Sequence, residues 1–335
     1  MGASPGAAET DPSGSGNVTQ SSSSMPLWEQ IKHRYEAAQA SQASSFTETS
    51  TEVVNEELSL RSSATTVQYI VKIARRLRDK PKNNNKKSTS REEKMRNNPF
   101  LPPDPNLYVT RLTDTHSLVL NKFNITPHHV IVITDAFQEQ EVPLNLKDFE
   151  ATWMVVRNVG DEGLGGMAFF NRGPLSGASQ PHKHIQCVPL PIARDKDGQG
   201  MEAPFERIIG EAISETRGVK DGSVPASVEL LPFVNAVHDV RNATPEALHR
   251  AYGSLLDSLE ERLQRKWTRD DSYNMLLTKD YMMVIPRHAE HIESVGANAM
   301  GFAGSFFLGT QAEIDDLKRL GPSKVLGALG FDASH

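Results

Sequence analysis

The stretch Asn171-Arg172-Gly173-Pro174-Leu175-Ser176-Gly177-Ala178-Ser179-Gln180-Pro181-His182-Lys183-His184-Ile185-Gln186 holds the densest chemistry in the chain. Its second half reads as a strand, in which alternate side chains share a face. His182, His184 and Gln186 then project together, while Lys183, Ile185 and Cys187 point the other way. A sheet face meant only for packing would carry Val, Ile or Leu there. The first half supplies Gly173 and Gly177, which admit positive φ and close backbone approach. Successive N–H groups in such a loop form a concave anion site, and Asn171 and Ser179 add donors. An anion cradle running into a pair of imidazoles points to phosphate chemistry, because histidine is a competent nucleophile toward phosphorus. A His-x-His pair also suits zinc, in which case His238, His288 or a distant carboxylate would complete the ligand set.

These residues need elements to position them. Val130–Thr134 is a short β-branched apolar run, the pattern of a buried strand. Leu107–Val109, His116–Leu120, Met167–Phe170, residues 182–190, Thr66–Val71 and Tyr281–Ile285 read as further strands. Leu27, Ile31 and Tyr35 step by four beside Trp28, and Leu146, Phe149, Trp153 and Val156 follow a 3–4–3 spacing, so both segments read as amphipathic helices. The 205–265 region reads as mostly helical, whereas residues 36–64 carry little signal. Phe123, Trp153 and Tyr281 are taken as core. Strands and helices segregate along the chain, which predicts an α+β fold, an antiparallel sheet with flanking helices, rather than a doubly wound sheet.

The chain divides into a Gly/Ser-rich extension expected to be disordered (1–24), an N-terminal segment with a basic Asn/Lys-rich loop (25–97), a core carrying the motif (98–200) and a helical region with a closing segment (201–335). It has 335 residues, with 36 basic against 42 acidic side chains, a net charge of −6. That balance argues against a nucleic-acid binder, whose footprint is usually basic. No run approaches the length of a membrane span, no signal peptide is visible, and the single cysteine, Cys187, rules out an intramolecular disulfide. A cytoplasmic or nuclear location is expected.

The pattern Asn171-x-Gly173-x-x-x-Gly177-x-Ser179-x-x-His182-x-His184-x-Gln186 resembles the signature of the histidine-triad superfamily, with Gln at the third triad position, as in its nucleotidylyltransferase branches. Three further blocks resemble the diadenosine tetraphosphate (Ap4A) phosphorylases, also called ATP adenylyltransferases. They are Asn98–Pro102 with Leu120–Asn124 and His129–Thr134; Ser272–Lys279; and Met283–Arg287 with Asn298–Gly304. The resemblance covers roughly residues 25–330 and implies reversible cleavage of Ap4A by phosphate to ATP and ADP through a nucleotidyl-histidine. It makes His184 the nucleophile, His182 its buttress and Gln186 a donor to the nucleotidyl phosphate. Gly177, Ala178, Ser179 and Gln180 would wrap the reacting phosphates. Asn171, Asn121, Lys122, Ser272, Tyr273, Asn274, Lys279 and Met283 are implied substrate contacts, with Lys80 from the basic tract as another. A divalent ion such as Mg²⁺ is expected to accompany the phosphates, although no dedicated carboxylate cage is visible. The same AMP-histidine logic extends to adenylyl sulfate as a side substrate. Another His-x-His-x-Gln nucleotidyltransferase and a non-catalytic nucleotide-binding protein remain the alternatives, and a monomer or a homodimer fits equally.

Overall fold

The structure, a computed structural model, describes residues 1–2, 25–60, 63–74, 98–160, 163–194, 200–201, 203–217 and 225–333. The Gly/Ser-rich extension from residue 3 and most of the basic tract, with Lys80, lie outside the described residues.

The chain opens with helix α1 (Leu27–Ala40), which buries Ile31 and Ala38. A long antiparallel ribbon follows, β1 (Thr49–Leu60) and β2 (Ser63–Ala74). The first of these strands falls in a stretch with little sequence signal. Thr, Ser, Asn and Glu make up most of it, and among its described side chains Leu58 is buried in the core with Val54 packed partly against it. Backbone pairing to β2, rather than side-chain burial, holds it in place.

The centre of the molecule is an eight-stranded sheet, every neighbouring pair antiparallel. Its strands are β3 (Tyr108–Arg111), β4 (His116–Leu120), β5 (Val130–Thr134), β6 (Gly166–Arg172), β7 (His184–Pro189), β8 (Ala236–Asp239), β9 (Tyr273–Leu277) and β10 (Tyr281–Pro286). Across the sheet they run β8-β10-β9-β6-β7-β5-β4-β3. The motif strand β7 thus lies between β5 and β6, with both edges paired. The C-terminal strands extend the same sheet, so residues far apart in sequence reach one surface.

One face packs on α1, α2 (Leu146–Asn158) and α4 (Pro245–Leu263). The other packs on α3 (Glu206–Arg217), three C-terminal helices, α5 (Ala299–Phe302), α6 (Gln311–Leu320) and α7 (Pro322–Leu329), and the ribbon, which β11 (Ser305–Leu308) joins in parallel with β2. Helix α2 starts on a capping box between Asn145 and Asp148. Helix α4 starts on Thr244 with Pro245 in its first turn.

The fold is α+β with a large antiparallel sheet and flanking helices, as expected. Two local readings change. The 205–265 region is interrupted by a strand, β8, because Ala236–Asp239 pairs with Tyr281–Val284 at the sheet edge. Phe123, read as core, is 67% exposed on the rim of a cleft; Trp153 and Tyr281 are buried as read.

Candidate active site

Cross-strand register places the motif. His184 pairs with Ile133 of β5, while Gln186 pairs with Ile131 and with Phe169 of β6. The strand begins at His184, and His182 precedes it, bridged to Glu139. Both His184 and Gln186 line a cleft of about 450 Å³. Its lining includes Pro99, Phe100, Pro103, Asn121, Lys122 and Phe123, with Ser179 and Gln180 from the glycine loop. An apolar slot beside a lysine and a donor-rich loop suits a base joined to phosphate.

His184 is held from several directions. Its backbone N–H donates to Gln140 Oε1 at 2.8 Å, and Gln140 Nε2 donates to the carbonyls of Asn171 and of His184 itself. Its ring Nδ1 lies 2.8 Å from the carbonyl of His182, which can only accept. The Nδ1 proton is therefore committed, and Nε2 keeps its lone pair. Burial pushes the pKa of His184 down to about 4; the carbonyl hydrogen bond opposes this and neighbouring His182 adds to it. The imidazole is neutral at physiological pH, and its free Nε2 is able to act as a nucleophile. Phe100 lies over it with ring centroids 5.4 Å apart.

His182 is fully buried and does not line the cleft. Phe100 N–H donates to Asn98 Oδ1, which fixes the amide so that Nδ2 donates to His182 Nδ1 at 2.9 Å. The remaining ring proton then sits on Nε2, 2.9 Å from the Thr134 carbonyl. His182 is a buttress whose main-chain oxygen orients the His184 ring. On the opposite face, Lys183 and His116 both reach Asp148, at 3.1 and 3.0 Å, in a buried cluster that pins the back of the same strand.

The glycine loop is braced from the C-terminal segment. Gly177 has φ +80°, a backbone only glycine adopts cheaply. Asn274 Nδ2 donates to Asn171 Oδ1 and to the Ser176 carbonyl, while Arg287 donates to Asn274 Oδ1. The N–H of Ala299 donates to Asn171 Oδ1, and that of Leu175 to Ser272 Oγ. Asn171, Asn274 and Ser272 are buried struts beneath the loop rather than lining residues of the cleft. Ala178 sits half-buried within the loop.

Three implied contacts lie elsewhere. Tyr273 faces the α2–α4 side, away from His184, and bonds Tyr252 through their hydroxyls. Met283 is fully buried in the core two strands beyond β6. Lys279 donates to the Gly163 carbonyl near the start of β6. The Asn171 end of β6, which adjoins the loop, is five residues or about 16 Å further along. Alternation on one strand cannot reveal which strand end or which face a distant residue occupies. Gln140 was missed for the same reason, and Asn98, Phe100, Thr134 and Arg287, though within the blocks that carry the resemblance, had no role until pairing brought them to the motif. Among the described residues no group of three His, Cys, Asp or Glu side chains could hold a metal ion, so the zinc reading finds no third ligand there.

A neutral buried imidazole with one free ring nitrogen, set in a cleft beside a glycine loop, suits a nucleotidyltransferase. Residues 17–210 match the family model of the Ap4A phosphorylase N-terminal domain and residues 229–332 that of the ATP adenylyltransferase C-terminal domain; the chain belongs to this family. It is 28% identical over 287 residues, 78% of this chain and 82% of the relative, to the diadenosine 5',5'''-P1,P4-tetraphosphate phosphorylase 2 of Saccharomyces cerevisiae. It is 27% identical over 202 residues, 56% of this chain and 60% of the relative, to Protein APA1 of the same yeast. Its fold matches the crystal structure of yeast Ap4A phosphorylase Apa2 in complex with AMP (TM-score 0.70, 23% identity, 92% of this chain and 98% of that one). The Apa2 complex with Ap4A matches equally, at TM-score 0.70, 23% identity and 91% and 97% coverage.

Proposed function

We propose that this chain cleaves Ap4A with inorganic phosphate to ATP and ADP, reversibly, through AMP held on His184. The observation that carries the reading is the hydrogen bond from His184 Nδ1 to the His182 carbonyl, which leaves Nε2 as a lone-pair nucleophile at the cleft. In the first step Nε2 attacks the α-phosphorus of one adenylyl group. An N–P bond forms, the P–O bond to the bridging oxygen breaks, and ATP leaves with that electron pair. In the second step an oxygen of phosphate attacks the same phosphorus. The N–P bond breaks, ADP departs and the electron pair returns to Nε2.

A polyphosphate leaving group is stable as an anion, so the site needs less acid catalysis than one expelling an alkoxide. This suits Gln186, whose amide donates to a phosphate oxygen but cannot deliver a proton as an imidazolium does. Ser179, Gln180 and the loop N–H groups from Gly177 are proposed to hold the reacting phosphate, and Lys122 the distal ones. Mg²⁺ is proposed to arrive on the substrate's phosphates. Phosphate displacing sulfate from adenylyl sulfate is proposed as a side reaction of the same intermediate.

The test incubates the purified protein with Ap4A and Mg²⁺, with and without phosphate, and separates products by anion exchange, with His184→Ala as control. ATP plus ADP only in the presence of phosphate, lost in the variant, supports the reading. ATP plus AMP without phosphate would show hydrolysis and overturn the role given to Gln186. A Gln186→His variant is expected to shift the partition toward hydrolysis.

A further inference from the structure

We propose that His129 is a positioning residue that sets which way the Gln186 amide faces. The inference rests on the reading of Gln186 as the donor to the reacting phosphate.

The argument begins at a backbone carbonyl. The Phe123 oxygen can only accept, and it lies 2.9 Å from Asn121 Nδ2. That contact fixes the orientation of the Asn121 amide. The same nitrogen has a second proton, and it lies 3.1 Å from His129 Nδ1. Nδ1 must therefore accept, so the proton of the neutral ring is on Nε2.

His129 is buried against Phe169, with ring centroids 5.8 Å apart, and Phe169 is the cross-strand partner of Gln186. His129 Nε2 is itself buried, and no hydrogen bond of ordinary geometry satisfies it. The Gln186 side chain contacts the ring in the sense that favours the charged imidazole, and with Nδ1 engaged by Asn121 the nitrogen left to face it is Nε2. Burial outweighs that contact, and the nearby Lys72 ammonium and His184 ring oppose protonation as well, bringing His129 down to about 4. The ring stays neutral and keeps one tautomer.

Of the two ends of the Gln186 amide, only the carbonyl oxygen can accept from an N–H at Nε2. The NH2 of Gln186 then turns away from His129, toward the cleft. The opposite flip would set two N–H groups against each other and aim a carbonyl oxygen at the phosphate. The direction of a hydrogen bond thus passes from Phe123 O through Asn121 and His129 to Gln186. His182 is fixed by the same device, in which a backbone N–H orients Asn98 and Asn98 fixes the ring.

The test has a substrate-free arm and a kinetic arm. In the resting protein with ¹⁵N-histidine, the His129 signal, assigned by its loss in His129→Phe, is expected to show the Nε2–H tautomer and to shift in Gln186→Ala. Asn121→Asp, whose carboxylate accepts, is expected to move a proton onto Nδ1. An Nδ1–H tautomer in the wild type, or a signal indifferent to Gln186→Ala, would overturn the proposal whatever the substrate proves to be. In Ap4A phosphorolysis, His129→Phe and Gln186→Ala are each expected to lower kcat about tenfold, the range of one lost buried hydrogen bond. The KM for Ap4A should change much less, and the double variant should lose no more than either single one. Multiplying losses would overturn the relay. A wild type that leaves Ap4A intact would instead defeat the functional reading, and the tautomer arm would still decide the relay.

Discussion

The ring of His184 donates from Nδ1 to the main-chain oxygen of His182, two residues earlier, at 2.8 Å. A strand residue does not ordinarily bond the backbone of its neighbour but one. Here the chain enters β7 at His184, so the His182 carbonyl is free of the sheet ladder and open to the ring. The bond selects the tautomer with Nε2 unprotonated. His184→Ala should abolish an acid-labile adenylylated protein, detected by mass spectrometry after mixing with Ap4A. It should lower turnover by at least about 10³-fold, as removal of a covalent nucleophile does. An adduct that persists in His184→Ala would place the nucleophile elsewhere.

The low pKa values of His184 and His129, each about 4, have a consequence for pH dependence. In the proposed role His184 attacks as the neutral ring, so the acid limb of kcat/KM should fall near pH 4 rather than near 6.5. Stability follows the same groups. Both pKa values lie below that of an unfolded histidine, so the unfolded chain binds more protons between about pH 6.5 and 4. Their stabilising contribution is full above 6.5, falls as pH drops through that window and is gone below it. Urea midpoints across this range would show the decline. An acid limb at 6.5 would mean that the ring is more exposed than found here.

Arg287 ties the glycine loop to the C-terminal segment. It donates to Asn274 Oδ1 and to the carbonyls of Leu329, Ala297 and Ala289, and it is 2% exposed. A lysine cannot reach all these acceptors from one point charge. Arg287→Lys should cost about 2–3 kcal/mol in denaturant unfolding, the penalty for buried acceptors left unmet. It should also weaken phosphate binding, because Asn274 and Ser176 lose their anchor. Unchanged stability would show that water replaces the guanidinium there.

Gly177→Ala tests the loop itself. The added Cβ would sit 3.0 Å from Asn298 Cβ, and the residue would keep φ near +80°. We expect a loss of about 1–2 kcal/mol from the left-handed backbone alone. The KM for Ap4A should rise with little change in the adenylylation step at saturation. A variant with wild-type KM would remove the loop from phosphate binding.

Asp148→Asn addresses the wall behind the nucleophile. Lys183 and His116 would lose their shared carboxylate, leaving a buried ammonium with the Pro143 carbonyl and at most a neutral amide oxygen in place of its counter-charge. Removing one partner of such a buried pair costs about 3–5 kcal/mol. A thermal shift of only a degree or two would contradict the burial of Lys183.

Much of this was legible in one dimension. The alternation of His182, His184 and Gln186, the glycines before them and the β-branched run Val130–Thr134 are local patterns, and local patterns survive without a fold. The motif pointed to His184 as the candidate nucleophile, and the segregation of strands and helices pointed to the α+β class. What the sequence left open was every relation that depends on strand order. Pairing of β7 with β5 and β6 brings His129 and Phe169 to Gln186. Pairing of β6 with β9 sets Asn274 opposite Asn171, which makes it a strut beneath the loop. The same pairing turns Tyr273 to the opposite face and carries Lys279 to the far end of the strand. A side chain's residue type states what chemistry it can do. Its face, its strand end and its hydrogen-bond direction are set by partners distant in sequence, and these only the tertiary structure decided.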